Sequence, residues 1–312
     1  MRRYILPVIA AALVIVYFAP SIVGRKEVSR FLLRDKEVVN AITVKRGNRR
    51  IQIQRDGSTW WIKDSKKRYK ADSSKMEELL EAIKETRLEN PVTEDKSKYA
   101  TYGVAGDGDY IEIELDSGKR GIFTGKSGPR YSLRYIRLNG DDTVYLVRGR
   151  FIDLLPGSVN DFRDRTILSL NPGSIREVQW NEGSKTLHMK KTKAGWQIID
   201  RDGRVSPVED KEVSGYLKAL SRIVATGFTD DDRPPKDAIE EGYIKITADR
   251  VYTIRLYRKK KGEEYYLTNP SGAYRISKYT KEGLFRELKP LGSAEEQPSR
   301  NRNKETNPGK DT

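Results

Sequence analysis

One pattern of strands and helices is predicted twice in this chain, in the same order, and no other feature of the sequence limits the fold as strongly. In each copy three strand-like segments come first, and the third of them carries tryptophan. The segments begin at Ile42, Ile51 and Trp60 in the first copy and at Ile175, Leu187 and Trp196 in the second. A unit that recurs along a chain folds as a recurring structure, so we expect two similar units in tandem.

A helix with one apolar face follows the tryptophan strand in both copies. Its apolar side chains recur at i, i+3, i+4 and i+7, as Met76, Leu79, Leu80 and Ile83 in the first copy and as Val213, Tyr216, Leu217 and Leu220 in the second. Ser74 and Glu77 have the spacing of a capping box, which predicts that the first helix begins there. Pro207 and Asp210 mark the start of the second helix.

Alternating apolar and polar residues follow each helix, which predicts further antiparallel strands, and a short helix closes each copy. The closing helices are expected around Phe151 to Leu155 and around Glu282 to Leu288. We therefore predict an α+β fold with a first repeat over residues 41–168 and a second over residues 169–291, each an antiparallel sheet with one main packed helix and a short closing helix. Residues 292–312 have almost nothing to bury and are predicted to be a disordered tail.

Residues 5–23 read ILPVIAAALVIVYFAPSIV and contain no charge, which is about the length that a helix needs to cross a bilayer. No signal-peptide cleavage pattern closes this run, and the chain has no cysteine to carry a lipid. We predict an uncleaved transmembrane helix over residues 1–24 and a juxtamembrane linker over residues 25–40, with a cleaved signal peptide as the alternative. Arg25 and Lys26 follow the run, which by the positive-inside rule favours a cytoplasmic location for the rest, but long domains translocate regardless of charge.

Three motifs make the chain similar to a known family. They are the tryptophan strand with the helix after it (Trp60 and Trp61, then Lys70-Ala-Asp before Met76), the triplet Tyr102-Gly103-Val104, and the run Asp161-Phe-Arg-Asp-Arg-Thr-Ile-Leu. On these motifs the chain resembles the bacterial family called domain of unknown function 4340 over roughly residues 40–290. After Tyr102-Gly103 the chain reads Val-Ala-Gly-Asp-Gly-Asp, where the family tends to have a leucine and a proline.

This resemblance carries expectations about location and partners. Members of the family have an N-terminal anchor and paired β-rich repeats, and they are often encoded beside a gliding-motility-type ABC transporter permease and ATPase. The resemblance therefore implies a single-pass protein of the bacterial inner membrane, with most of the chain extracytoplasmic, that is an accessory or scaffold subunit of an ABC-type transport system. The permease and the ATPase are its expected partners, and residues 5–23 are expected to contact membrane lipid. The resemblance supplies no catalytic residue.

Catalytic chemistry is not expected from the residue types present. The chain has no cysteine and one histidine, His188, which alternates with apolar neighbours on a predicted strand and faces away from them. One histidine without cysteine cannot build a histidine-based metal site, and no Ser-His-Asp spacing points to a triad. We therefore predict no enzymatic activity and no cofactor.

Two kinds of glycine- or aspartate-rich segment resemble ligand sites. The stretch from Gly121 to Ser127 lacks the spacing of a phosphate-binding loop and is interpreted as a hairpin turn. Asp107-Gly-Asp109 and Asp230-Asp-Asp232 offer carboxylates to calcium, but neither has EF-hand spacing. Both are interpreted as turns, where Asp and Gly are common for backbone reasons, so no metal is predicted.

An excess of cations leads to a second hypothesis about function. The formal net charge is +15, from 60 Lys and Arg against 45 Asp and Glu, and such an excess attracts polyanions over long range. The densest basic segment of the predicted fold is Arg258-Lys259-Lys260-Lys261, with Tyr257 beside it. The alternative function is therefore a binding module for an anionic envelope polysaccharide or a lipid headgroup, with ordinary turn chemistry as the plainer interpretation. Nucleic acid is not an expected partner.

Overall fold

The computed structural model describes residues 30–34, 36–63, 67–88, 90–106 and 108–291. The predicted anchor at residues 5–23 and the predicted tail at residues 292–312 lie outside the described residues. Among the described residues there is no helix with the length and apolar character needed to cross a membrane. The chain divides into two compact units, and the boundary falls between Asp164 and Arg165.

The first unit is built around a nine-stranded sheet in which neighbouring strands are antiparallel. Its strands are β1 (Arg30–Phe31), β2 (Val39–Arg46), β3 (Arg49–Asp56), β4 (Thr59–Lys63), β5 (Arg68–Lys70), β6 (Arg87–Leu88), β7 (Pro91–Thr93), β8 (Asp109–Leu115), β9 (Gly118–Ser127), β10 (Leu133–Leu138) and β11 (Val144–Arg148). The order across the large sheet is β5-β4-β3-β2-β8-β9-β10-β11-β7. β1 and β6 form a separate antiparallel pair.

The main helix of the first unit begins at a cap that the sequence pattern did not indicate. The helices are α1 (Ser73–Glu85), α2 (Tyr99–Tyr102), α3 (Arg150–Asp153) and α4 (Val159–Phe162), and a 3-10 helix spans Lys96–Lys98. The carboxylate of Asp72 accepts hydrogen bonds from the backbone N–H groups of Ser74 and Lys75 at 3.0 and 3.3 Å. The predicted capping box at Ser74 and Glu77 is therefore wrong, because an aspartate just before the helix caps it.

The core of the first unit lies between one face of the sheet and the apolar face of α1. Alternate residues along each strand point to the same face of a sheet, and on this face they are buried. They include Ile42, Ile53, Ile62, Ile111, Ile113 and Ile122. From α1, Met76, Leu79 and Ile83 are fully buried, while Leu80 is partly buried against the same core.

The folded region starts earlier in the chain than the sequence suggested. Leu32 and Leu33 are 1% and 3% exposed and belong to the core of the first unit. The predicted juxtamembrane linker at residues 25–40 thus contains folded structure from residue 30 onward, since two leucines that would be costly to expose are buried there.

The second unit also has a nine-stranded sheet with antiparallel neighbours. Its strands are β12 (Thr166–Ser169), β13 (Glu177–Glu182), β14 (Lys185–Thr192), β15 (Gly195–Ile199), β16 (Val205–Pro207), β17 (Arg222–Val224), β18 (Gly227–Phe228), β19 (Ala238–Thr247), β20 (Val251–Lys259), β21 (Tyr265–Asn269) and β22 (Gly272–Ile276). The order across the sheet is β16-β15-β14-β13-β19-β20-β21-β22-β18, and β12 pairs with β17. The helices are α5 (Asp210–Ser221) and α6 (Lys278–Leu284), with a 3-10 helix at Pro172–Ser174.

Large aromatic side chains are central to the core of the second unit. Trp180 of β13 and Tyr216 of α5 are 2% and 1% exposed, and the Trp180 ring meets Phe285 edge-on at 5.7 Å between centroids. The hydroxyl of Tyr216 donates to the carbonyl oxygen of Leu284 at 2.8 Å, so the buried phenol is satisfied. This bond joins the main helix α5 to the closing helix α6.

The predicted α+β class with antiparallel sheets is confirmed. In each unit the first strand pairs with the strand that follows the main helix, as β1 with β6 and β12 with β17. The order of strands across the two large sheets also corresponds, strand by strand. The predicted boundary after residue 168 differs from the observed one after Asp164. The difference arises because β12, which includes Leu168, pairs with β17 of the second unit.

Candidate functional site

The run from Asp161 to Leu168, one of the motifs noted in the sequence, is used for packing. Asp161 accepts hydrogen bonds from the backbone N–H groups of Gly157 and Ser158 at 2.8 and 2.7 Å, which caps α4. The guanidinium of Arg163, a residue only 5% exposed, stacks over the ring of Tyr69 at 3.9 Å. These contacts give the motif a structural role in closing the first unit, and they engage the Asp161 carboxylate and the Arg163 guanidinium.

Asp164 ends the first unit with a pair of contacts to β5. Its backbone N–H donates to the carbonyl oxygen of Lys70 at 2.8 Å, and its carboxylate lies 3.1 Å from the Lys70 ammonium. The next residue, Arg165, belongs to the second unit, where its carbonyl oxygen accepts from the N–H of Ala225 at 2.8 Å. The motif therefore carries the chain from one unit to the next.

The triplet Tyr102-Gly103-Val104 is held against β9 and β10. Gly103 ends α2 in the left-handed region with a φ of 75°, which glycine adopts without strain. The guanidinium of Arg137 donates to the carbonyl oxygen of Val104 at 3.3 Å and lies over the ring of Phe123, 4.2 Å from its centroid. The triplet thus serves as a docking element for the sheet.

The interpretation of residues 121–127 as a hairpin turn is wrong, because the segment lies inside β9. Two of its glycines let neighbouring atoms lie close to the strand backbone. A Cβ atom at Gly125 would collide with the carbonyl oxygen of Tyr102, and one at Gly121 would collide with the hydroxyl of Tyr110. The segment is a packed strand and not a phosphate-binding loop.

The single histidine takes part in a polar cluster on the exposed face of the second sheet. His188 Nε2 lies 2.7 Å from Glu177 Oε1, and the Gln179 amide donates to the same oxygen at 2.9 Å. The hydrogen bond from His188, with the one from Gln179, holds the pKa of Glu177 below its ordinary range although burial raises it. Leu187 and Met189 are buried on the opposite face, so the predicted orientation of His188 is confirmed.

The predicted polyanion-binding segment, residues 257–261, lies at the end of β20 and in the turn after it; we call it the basic hairpin. Its first members face carboxylates of β19. The Tyr257 hydroxyl donates to Glu240 at 3.0 Å, and the Arg258 guanidinium pairs with Glu241. The hydrogen bond and charge of Glu241 raise the pKa of Arg258. Tyr257 and Arg258 are therefore engaged within the unit.

The remaining lysines of the basic hairpin divide into two groups. Lys259 lies 3.5 Å from a carboxylate oxygen of Glu264. Lys260 and Lys261 are exposed, and in the described part of the chain no carboxylate pairs with them. The structure thus brings the five predicted residues together but leaves two ammonium groups open to a ligand.

The two aspartate-rich segments, residues 107–109 and 230–232, have different surroundings. Asp107 lies outside the described residues, and Asp109 is 3.3 Å from the Arg46 guanidinium. Asp230 and Asp231 line a cavity of about 460 Å³ that also has cationic walls, including Arg233 and other basic side chains. Over the described ranges no group of three or more acidic, histidine or cysteine side chains is placed to hold a metal ion.

Sequence reasoning missed a cleft in the first unit whose lining is rich in arginine. It has a volume of about 690 Å³ and is lined by Glu85, Arg87, Asn90, Arg130, Ser132, Leu133, Val147 and Arg148. The arginines come from β6, from the turn before β10 and from the end of β11. They are spread over more than 60 residues of the chain, so no local motif could indicate them.

Taken together, the fold and these contacts define an α+β protein of two antiparallel-sheet units in which the motifs Tyr102-Gly103-Val104 and Asp161–Leu168 serve packing. The family model described as Domain of unknown function (DUF4340) matches residues 61–242, which is more than half of the 312-residue chain. The chain belongs to this family, as its motifs indicated. The match begins in β4 and ends in β19, so it includes parts of both units. No curated protein and no solved structure gives a significant match to the chain.

Proposed function

We propose that this protein is a membrane-anchored, extracytoplasmic accessory or scaffold subunit of an ABC-type transport system, without catalytic activity. The proposed architecture is a transmembrane helix at residues 5–23 followed by two copies of one repeat that arose by duplication. The observation that supports this most directly is the corresponding strand order of the two large sheets. The transport context is what the resemblance to the family implies, and it is part of the proposal.

The sheets offer surfaces suited to protein contact. In the second unit, α5 covers the face that carries Val178 and Trp180, and the opposite face carries polar side chains such as Gln179 and Lys245. A broad, polar sheet face makes contacts with a partner without requiring a pocket or a reactive group.

The position of the proposed anchor adds a geometric expectation. Six residues, 24–29, separate it from β1 at Arg30. Such a segment spans at most about 20 Å. The start of the first unit at β1 is therefore expected within that distance of the bilayer, where the extracytoplasmic loops of a permease lie.

Copurification tests the proposal. The tagged full-length protein is solubilised from native membranes in mild detergent, and the bound proteins are identified by mass spectrometry. We expect a permease and an ATPase with the full-length chain and neither with a variant that lacks residues 1–24. The absence of both from the full-length sample would count against the accessory-subunit role, and their retention by the shortened variant would count against docking through the helix.

The alternative function, a binding module for an anionic polymer or lipid surface, rests on the two open ammonium groups of the basic hairpin. Binding to an acidic polysaccharide should fall as salt is added and should weaken in a Lys260→Gln/Lys261→Gln variant. Lys191→Gln/Lys193→Gln is the matched control, since both lysines are exposed in the same unit. Equal binding by the two variants would remove the basic hairpin from consideration.

A further inference from the structure

The arginine-lined cleft of the first unit has the dimensions and the lining of a ligand site. Its volume of about 690 Å³ lies within the range of small-molecule sites, which is roughly 300 to 1,000 Å³. Leu133 and Val147 give it an apolar part, and Ser132 and Asn90 contribute polar groups. The cleft therefore combines a surface for apolar atoms with a rim of hydrogen-bonding side chains.

The charges in the cleft are unbalanced in a way that favours an anion. Three arginines line it against one glutamate, Glu85. The Glu85 carboxylate is already shared with Arg150, whose guanidinium lies 3.6 Å away. Arg130 and Arg148 are exposed, and across the described ranges of the chain no ion pair involves either of them.

Two nearby arginines form ion pairs within the first unit. Arg134 pairs with Asp153 at 2.9 Å, and Arg150 pairs with Glu78 at 3.2 Å. Both are satisfied by carboxylates of the same unit. Arg130 and Arg148 differ from them because their guanidinium groups face the cleft without such a partner.

Arg87, the third arginine, is held in place by an aromatic ring. Its guanidinium lies over the ring of Phe31 at 4.6 Å, through the pairing of β6 with β1. Stacking on an aromatic face is a contact that a planar guanidinium favours. The stacking therefore restricts the conformations of the Arg87 side chain. Less side-chain entropy is then lost when a ligand binds.

We propose that this cleft binds a ligand that carries a phosphate group together with an apolar portion. A carboxylate is satisfied by one arginine fork, whereas a phosphate has more acceptor oxygens and more charge and is commonly held by several arginines. Leu133 and Val147 in the cleft lining supply contacts for the apolar portion. This binding site is separate from the proposed accessory role and does not depend on it.

Isothermal titration of the full-length protein in detergent tests the site. The probes are inorganic pyrophosphate, dihexanoyl phosphatidylglycerol below its micellar concentration, dihexanoyl phosphatidylcholine and succinate. We expect binding of pyrophosphate, of the phosphatidylglycerol or of both, and at least a tenfold loss of affinity in an Arg130→Gln/Arg148→Gln variant. The matched control, Arg49→Gln/Arg50→Gln, removes two exposed arginines of the same unit outside the cleft and should bind as the wild type does.

The outcomes separate the sources of the phosphate. Preference for pyrophosphate indicates a soluble phosphate compound, and preference for phosphatidylglycerol over phosphatidylcholine indicates a lipid headgroup; both support the site if the cleft variant loses the binding. The proposal is overturned if neither phosphate probe binds, if succinate binds more tightly than both, or if the control variant loses as much affinity as the cleft variant.

Discussion

Replacement of Glu37 by glutamine should destabilise the first unit through one partly buried ion pair. The Glu37 side chain is 8% exposed and that of Arg120 is 20% exposed. The two groups meet through a pair of hydrogen bonds of 3.0 and 2.9 Å. The Arg34 backbone N–H and the Ser117 hydroxyl also donate to the carboxylate, at 2.8 and 3.1 Å. This network ties the segment before β2 to the turn between β8 and β9 and to the start of β9.

The size of the effect follows from what glutamine removes. The substitution deletes the negative charge and one of the two acceptor oxygens while Arg120 stays in place. Hydrogen bonds to charged groups contribute roughly 1.5 to 3 kcal/mol, and the loss of one partner of a well-buried pair costs about 3 to 5 kcal/mol. Because Arg120 retains some solvent contact, we expect a loss of about 2 to 3 kcal/mol in the free energy of unfolding.

The effect should depend on pH. Burial raises the pKa of Glu37, but the hydrogen bonds from Arg120, Arg34 and Ser117 and the charge of Arg120 outweigh it and hold the pKa below its ordinary value of 4.5. A carboxyl group with a lowered folded-state pKa stabilises the fold fully above the unfolded-state pKa and loses this contribution as pH falls through the folded-state pKa. The difference between wild type and Glu37→Gln should therefore shrink as the pH falls below 4.5.

Urea denaturation at neutral pH and at acidic pH measures the difference, and hydrogen exchange of the peptides around residues 32–38 locates it. The matched control is Glu263→Gln, in which an exposed pair with Lys278 loses the same charge. An exposed pair of this kind contributes about 0 to 1 kcal/mol, so the control should change little. Equal losses in the two variants at neutral pH, or a Glu37→Gln effect that persists at acidic pH, would refute the reasoning.

Three further predictions concern the backbone and a helix cap. Gly125→Ala should destabilise the first unit by about 1 to 3 kcal/mol in thermal or urea denaturation, because the added methyl group would collide with the Tyr102 carbonyl oxygen. Gly215→Ala, in α5 with open space around its Cβ position, should instead stabilise the second unit by about 0.5 to 1 kcal/mol. Asp72→Ala should lower the free energy of unfolding by about 1 kcal/mol, because the helix loses its cap. Ser74→Ala should change it by only about a few tenths of a kcal/mol. A larger loss for Ser74→Ala than for Asp72→Ala would show that Ser74 caps the helix instead.

Much of the fold could be predicted because its signals are local. The alternation of apolar residues indicated the buried faces of β2 and β8, and the helical spacing placed Met76 and Leu79 on the core side of α1. The orientation of His188 followed from the same alternation. The cap at Asp72 was missed because several nearby residues are good caps, and only the backbone geometry selects one of them.

The candidate sites were harder to predict because they depend on distant residues. The basic hairpin was recognisable as four consecutive cations, but Glu240 and Glu241, which engage Tyr257 and Arg258, lie 17 residues away in the sequence. The arginine-lined cleft assembles Arg87, Arg130 and Arg148 from three separate elements. Charge composition indicates neither which cations are paired nor which remain open.

The sequence by itself determined the α+β class, the apolar faces of the strands and main helices, and the expectation of two similar units. These properties follow from periodicities of two and 3.6 residues, which depend on neighbouring side chains alone. Only the tertiary structure decided that β12 joins the second unit, that Gly125 packs beneath Tyr102, and which arginines have carboxylate partners. Strand order and register set these contacts, and they bring together residues whose separation along the chain leaves no local trace.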